Sequence, residues 1–153
     1  MSTESNKAEE IVKQYALGLS TMNLDLIVPI LYPEFKFVYR TGYNNMGHGI
    51  TTDVRYIGIL YKVFSEMRNE GLSIDSDFCY LEREGSKYLS VKLLPPHDRR
   101  IIFPMEYQII ESAINRVPEG EVYLLPRVKN GLLCKVECYC TLSELAQFGV
   151  IIN

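Results

Sequence analysis

The chain has 153 residues, 47% hydrophobic and 23% charged, which is enough apolar material for one domain with its own core and no disulfides or metals to hold it. A formal net charge of -3 and a pI near 5.4 provide no attractive field for phosphate backbones or anionic lipid, so neither nucleic acid nor a membrane is expected as a partner. No apolar leader follows the polar amino terminus, no run reaches the roughly 18 apolar residues of a membrane span, and four cysteines suit a reducing compartment; the expected location is the cytoplasm.

Residues 1–7 read as a flexible lead-in. Over 8–22, Ala8, Ile11, Val12, Tyr15, Leu19 and Met22 recur at helical spacing and predict a first helix. Asn23 or Asp25 supplies an N-cap for a short second helix over 26–32, made irregular by Pro29 and ended by Pro33. Phe35, Phe37 and Tyr39 then alternate with polar or smaller residues, a strand with an aromatic inward face. Gly42, Gly47 and Gly49 permit a turn. A third, long helix follows, capped by Thr51 or Thr52, with Val54, Ile57, Leu60, Tyr61, Phe64 and Met67 as its buried stripe and Gly71 as its stop. Gly58, inside that helix, suggests a close neighbour, since it costs about 1 kcal/mol relative to Ala.

Strands dominate from Leu72 onward. Segments 72–83 and 88–94 flank Glu84-Gly85-Ser86-Lys87, a hairpin signal. A polar loop covers 95–100, and a strand over 101–113 carries Pro104 at an edge or bulge. After a turn over 115–120, strands over 121–128 and 132–142 are joined by Lys129-Asn130-Gly131. The tail, 143–153, reads as a helical turn or a loose end.

Three amino-terminal helices, a strand inserted before the third, and a run of antiparallel strands make an α+β order in which a curved antiparallel sheet wraps a long helix, as one domain over 1–153. Gln14-Tyr15, Asn23-Leu24-Asp25, the strand from Phe35 to Gly42 and Gly47-His48-Gly49 resemble the nuclear-transport-factor-2-like superfamily, the cystatin-like cone fold of ketosteroid isomerases and polyketide cyclases. The resemblance spans 9–142 and rests on helix caps and glycines, which specify fold better than chemistry. It implies that Tyr15 matches the isomerases' oxyanion-hole tyrosine, and that Glu121 is the nearest match to their protonated acid. The position of their general base holds Tyr39; a phenol with a pKa of about 10 is a poor base, which argues against steroid-type isomerisation.

The candidate site is therefore the cone, lined by Tyr15, Tyr39, Tyr61, Tyr107, His48 and Glu121. His48 or Glu121 could transfer protons there, and the phenols could equally be core aromatics with satisfied hydroxyls. Cys134, Cys138 and Cys140 share strand parity, but their spacing is no zinc knuckle and reads as buried strand cysteines. No cofactor or metal is expected. Tyr88, Ile102, Ile110, Tyr123, Leu125 and Tyr139 lie on faces not needed by the long helix and predict a homodimer through the sheet. Three functions fit: a binder of a small apolar molecule; a dehydratase, cyclase or isomerase-type enzyme using His48 or Glu121 with Tyr15 as donor; and a non-catalytic dimeric interaction module.

Overall fold

The computed structural model describes residues 3–40, 50–51, 53–102, 104 and 120–153. In chain order these form α1 (Thr3–Ser20), α2 (Leu24–Ile27) running into a 3-10 turn (Val28–Ile30), β1 (Leu31–Tyr39), β2 (Ile50–Thr51), α3 (Asp53–Asn69), β3 (Ser76–Arg83) and β4 (Ser86–Leu93). They continue through α4 (Arg99–Ile102), β5 (Val122–Lys129), β6 (Leu132–Tyr139), α5 (Leu142–Gln147) and β7 (Val150–Ile152). The strands make one sheet in the order β2-β1-β6-β5-β4-β3-β7. Its pairings are antiparallel except β1 with β6, where the chain returns in parallel. The α+β fold with three amino-terminal helices is as the residue pattern implies.

Local chemistry sets many of the boundaries. The Asn23 side chain accepts a hydrogen bond from the Asp25 amide at 3.0 Å and opens α2. Gly71 at φ +70 ends α3, its amide reaching the Arg68 carbonyl while that of Leu72 reaches Met67. The hairpins β3–β4 and β5–β6 turn on Glu84-Gly85 and Asn130-Gly131, both pairs at positive φ, the geometry whose twist matches that of the flanking strands.

Other boundaries differ from the expected ones. Helix α1 begins at Thr3, five residues before the apolar pattern that predicts it. The second helix ends at Ile30, and Pro33 lies inside β1, not at a helix end. The β1–β6 register shifts between Leu31 and Lys36, a bulge that accommodates a residue with no amide to donate. Arg99–Ile102 is a helical turn, where the residue pattern predicts a polar loop and then a strand; the Asp98 carboxylate accepts from the Arg100 amide, and Ile101 and Ile102 are buried. The rest of that expected strand, and Ile110 with it, lies outside the described residues.

The sheet is apolar on both faces. The inner face meets α1 and α3 in a core that includes Tyr15, Leu19, Phe35, Phe37, Leu60 and Phe64. On the outer face Leu81, Tyr123, Leu125 and Tyr139 are covered by Leu145 of α5 and Val150 of β7. The tail is thus a structural cover, with β7 paired to β3 and forming the edge of the sheet. This corrects the residues named for an interface: Tyr123, Leu125 and Tyr139 are buried by the chain's own tail, and Ile102 belongs to the inner core.

Candidate functional site

Inside the cone, Tyr15 of α1 meets Tyr56 of α3, hydroxyl to hydroxyl at 2.6 Å, with both side chains fully buried. The helices aim them there because each buries the stripe that contains its tyrosine. In α1 that stripe is Val12, Tyr15, Ala16 and Leu19; in α3 it is Tyr56, Leu60, Val63, Phe64 and Met67. The ring of Tyr56 stacks on Phe37 at 5.4 Å between centroids and lies at 5.0 Å from Phe35, so β1 fixes its plane. Gly18 allows α2 to close beneath α1, since a Cβ there would stand 2.5 Å from Ile27 Cγ1.

Burial raises the pKa of Tyr15 well above that of an ordinary phenol, and its neighbour Tyr56 adds to the rise. Burial likewise raises Tyr56, outweighing the hydrogen bond with Tyr15 that lowers it. Both phenols hold their protons and serve as donors, never as bases. Two phenols in contact satisfy one hydrogen between them. Among the described residues the second phenolic hydrogen has no acceptor, an uncommon state for a fully buried polar group.

Of the other expected site residues, Tyr61 and Glu121 do not gather here. Tyr61 is 70% exposed on the solvent side of α3, as is Val54 at 75%; the stripe expected there runs through Tyr56 and Val63 instead. Among the described residues no atom lies within 4 Å of where a methyl on Gly58 would stand, so none of them is the close neighbour expected there. Glu121 has the parity of Tyr123 and lies on the outer face, accepting from the Tyr123 hydroxyl at 2.8 Å with Lys92 at 3.8 Å. That carboxylate helps push the Tyr123 pKa to about 12, behind burial as the larger cause. The backbone of Tyr39 pairs with Cys138, while its side chain, His48 and Tyr107 lie outside the described residues. The shared parity of the three late cysteines fails because the strand shifts register where Cys134 sits, between the pairs Arg127–Lys135 and Val128–Leu133. Among the described residues no three His, Cys, Asp or Glu side chains group as a metal site.

Two features lie beyond the residues that the sequence pattern singles out. Tyr56 heads the series Tyr56, Leu60, Val63 and Met67, one of two apolar arcs at helical spacing in α3. The second is Glu137, wholly buried on the outer face beside Arg40, Arg83 and Arg127; a lone acid between Val136 and Cys138 in a strand apolar on both faces is its sequence signal. A separate open groove of about 720 Å³ runs between α1 and β3, lined in part by Leu17, Ile74 and Phe78; neither phenol lines it.

No protein-family model matches the sequence, and no curated protein matches it. Among solved structures, the chain is similar to an NTF2-like protein from Anabaena variabilis at 13% identity and a TM-score of 0.53, covering 92% of this chain and 94% of that one. It is also similar to Bal32a from a soil-derived mobile gene cassette, at 9% identity and a TM-score of 0.52, covering 96% and 99%. At such identities the likeness establishes the fold: the chain has the NTF2-like, cystatin-like cone architecture. Among the described residues no helix is long and apolar enough to cross a membrane.

Proposed function

We propose that the cone binds a small apolar molecule carrying one acceptor oxygen, a ketone or phenol, without steroid isomerase activity. The observation that carries this reading is the unclaimed hydrogen of the Tyr15–Tyr56 pair, held neutral in an aromatic setting where a ligand oxygen would complete its hydrogen bonding. The isomerase's carboxylate base has Tyr39 in its place, and Glu121 stands on the opposite face of the sheet from the phenols. A donor pair without that base favours holding a carbonyl over taking a proton from the carbon beside it. A homodimer is part of the proposal, by a surface other than the one the tail covers.

Fluorescence titration with 2-naphthol tests the reading, alongside native mass spectrometry for subunit count and any retained adduct. Saturable binding is expected, weakened about tenfold in Tyr15→Phe, the worth of one hydrogen bond of about 1.4 kcal/mol. A β,γ-unsaturated ketone should be left unisomerised. Absence of saturation, or an affinity indifferent to both Tyr15→Phe and Tyr56→Phe in folded protein, would overturn it.

A further inference from the structure

On the opposite face of the sheet, one buried carboxylate is surrounded by more positive charge than it can balance. Glu137 Oε2 accepts from Arg40 Nε at 2.9 Å, from Arg83 Nη1 at 2.8 Å and from the Tyr139 hydroxyl at 3.1 Å. Its Oε1 accepts from the same Arg83 nitrogen at 3.0 Å, with Arg127 Nη1 at 3.7 Å, beyond hydrogen-bond reach. Burial works to raise the Glu137 pKa, but the Arg40 hydrogen bond and the fields of Arg83, Arg40 and Lys135 together hold it below the ordinary carboxylate value. Three donor atoms thus converge on the carboxylate, with Arg83 Nη1 shared between its two oxygens.

The guanidiniums have hydrogen atoms to spare. Each carries about five N–H donors, of which Arg40 spends its Nε–H and Arg83 its Nη1 on Glu137; among the described residues no other acceptor engages the three arginines. The other acid whose field reaches Arg83 is Glu84, exposed at the β3–β4 turn. In a chain of net charge -3, three arginines and Lys135 around one acid are a local excess of positive charge. The arrangement is also restrained: Arg127 lies over the Tyr88 ring at 5.0 Å and Arg40 over Phe148 at 5.7 Å, so aromatic faces limit where the guanidinium planes can turn. At 20%, 24% and 36% exposure, Arg40, Arg83 and Arg127 are reachable from solvent without the hydration that would neutralise their pull.

We propose that Arg40, Arg83 and Arg127 form a binding site for a small oxyanion, phosphate or carboxylate, with Glu137 as the internal anion that sets their spacing. Planar guanidinium forks suit such groups because they offer two parallel N–H bonds to two oxygens. The site is independent of the phenol pair, which lies on the other side of the sheet.

The test follows the arginine Nε–H resonances of the isotopically labelled full chain while inorganic phosphate, and separately acetate, is added at constant ionic strength. Saturable shifts confined to these arginines are expected with at least one of the two, phosphate alone indicating a phosphate ester as natural ligand and acetate alone a carboxylate. Arg127→Gln removes no hydrogen bond from Glu137 and so should fold; it should weaken binding about tenfold, the value of one charge-assisted hydrogen bond. Arg83→Lys, which keeps the charge but loses the fork, should weaken it as well. Shifts that never saturate with either anion, or a binding curve unchanged in Arg127→Gln, would overturn the site.

Discussion

Among the described residues, the inner face beneath the helices holds two buried neutral phenols packed against Phe35 and Phe37, whereas the outer face beneath the tail holds a buried carboxylate on which partly exposed arginines converge. Both faces exclude water with apolar side chains, yet the first does so by filling space and the second must also balance charge. The inner face therefore depends on shape and is indifferent to pH across the range where phenols stay protonated. The outer face depends on the ionisation of Glu137 and should lose strength in acid. One sheet thus supports a neutral donor site and a charged one without either disturbing the other.

The largest effect should come from the inner face. Phe35→Ala removes a ring with no exposed surface, lying at 5.0 Å from Tyr56, and should cost about 3–5 kcal/mol in urea unfolding, cavity included. A loss below about 1 kcal/mol would mean that the helices do not close on the sheet over this ring.

On the outer face, Glu137→Gln keeps the shape and removes the charge. At neutral pH it should cost about 1.5–3 kcal/mol, the range for hydrogen bonds to a charged group. Because the folded pKa of Glu137 lies below its unfolded value, its contribution is complete above about pH 4.3 and is lost as pH falls through the folded value. Unfolding midpoints of wild type and variant, measured from pH 7 down to pH 3, should therefore converge. Glu144 acts with the opposite sign: burial raises its pKa against the amides of Cys140 and Thr141, so its protonation offsets part of the loss in both proteins alike. Parallel curves would show that Glu137 carries no linked charge.

The phenol pair offers a contrast within the neutral face. Tyr15→Phe or Tyr56→Phe leaves one fully buried hydroxyl without its partner and should cost about 1–3 kcal/mol, whereas the double variant, which removes both, should cost no more than either single one. Additive losses would show that each hydroxyl has a separate partner, and the unclaimed hydrogen would vanish as an argument for a ligand.

What can be read from residues alone divides along the same line. Turn and cap chemistry is local, so Asn23, Gly71, Glu84-Gly85 and Asn130-Gly131 announce their roles, and so does the alternation of Phe35 and Phe37. Helix α3 carries two apolar arcs, one through Val54 and Tyr61 and one through Tyr56, Leu60 and Met67; periodicity cannot choose between them, and the sheet does. Strand β7 is three residues long and exists through its pairing with Arg83, Glu82 and Leu81, information absent from Val150-Ile151-Ile152 itself. Glu137 finds partners 97 and 54 residues away, which no local pattern reveals. The phenol pair is half legible, since the family resemblance points to Tyr15 whereas Tyr56 lies on the arc that periodicity alone does not single out.

The exposed arc of α3 supplies the smallest test and the one that asks what surrounds the fold in solution. Gly58 lies between Val54 and Tyr61 on that side, and among the described residues no atom comes within 4 Å of the position a methyl would take. In a solvated helix Gly58→Ala should stabilise by about 0.5–1 kcal/mol, because alanine gives up less backbone freedom than glycine on folding. If a second copy of the chain covers this arc, the same methyl meets that copy and the sign reverses, more so as protein concentration rises. Urea midpoints of wild type and Gly58→Ala at two well-separated concentrations distinguish the cases. A gain independent of concentration places this face in water and moves any dimer contact elsewhere; a loss that deepens with concentration assigns the contact to α3.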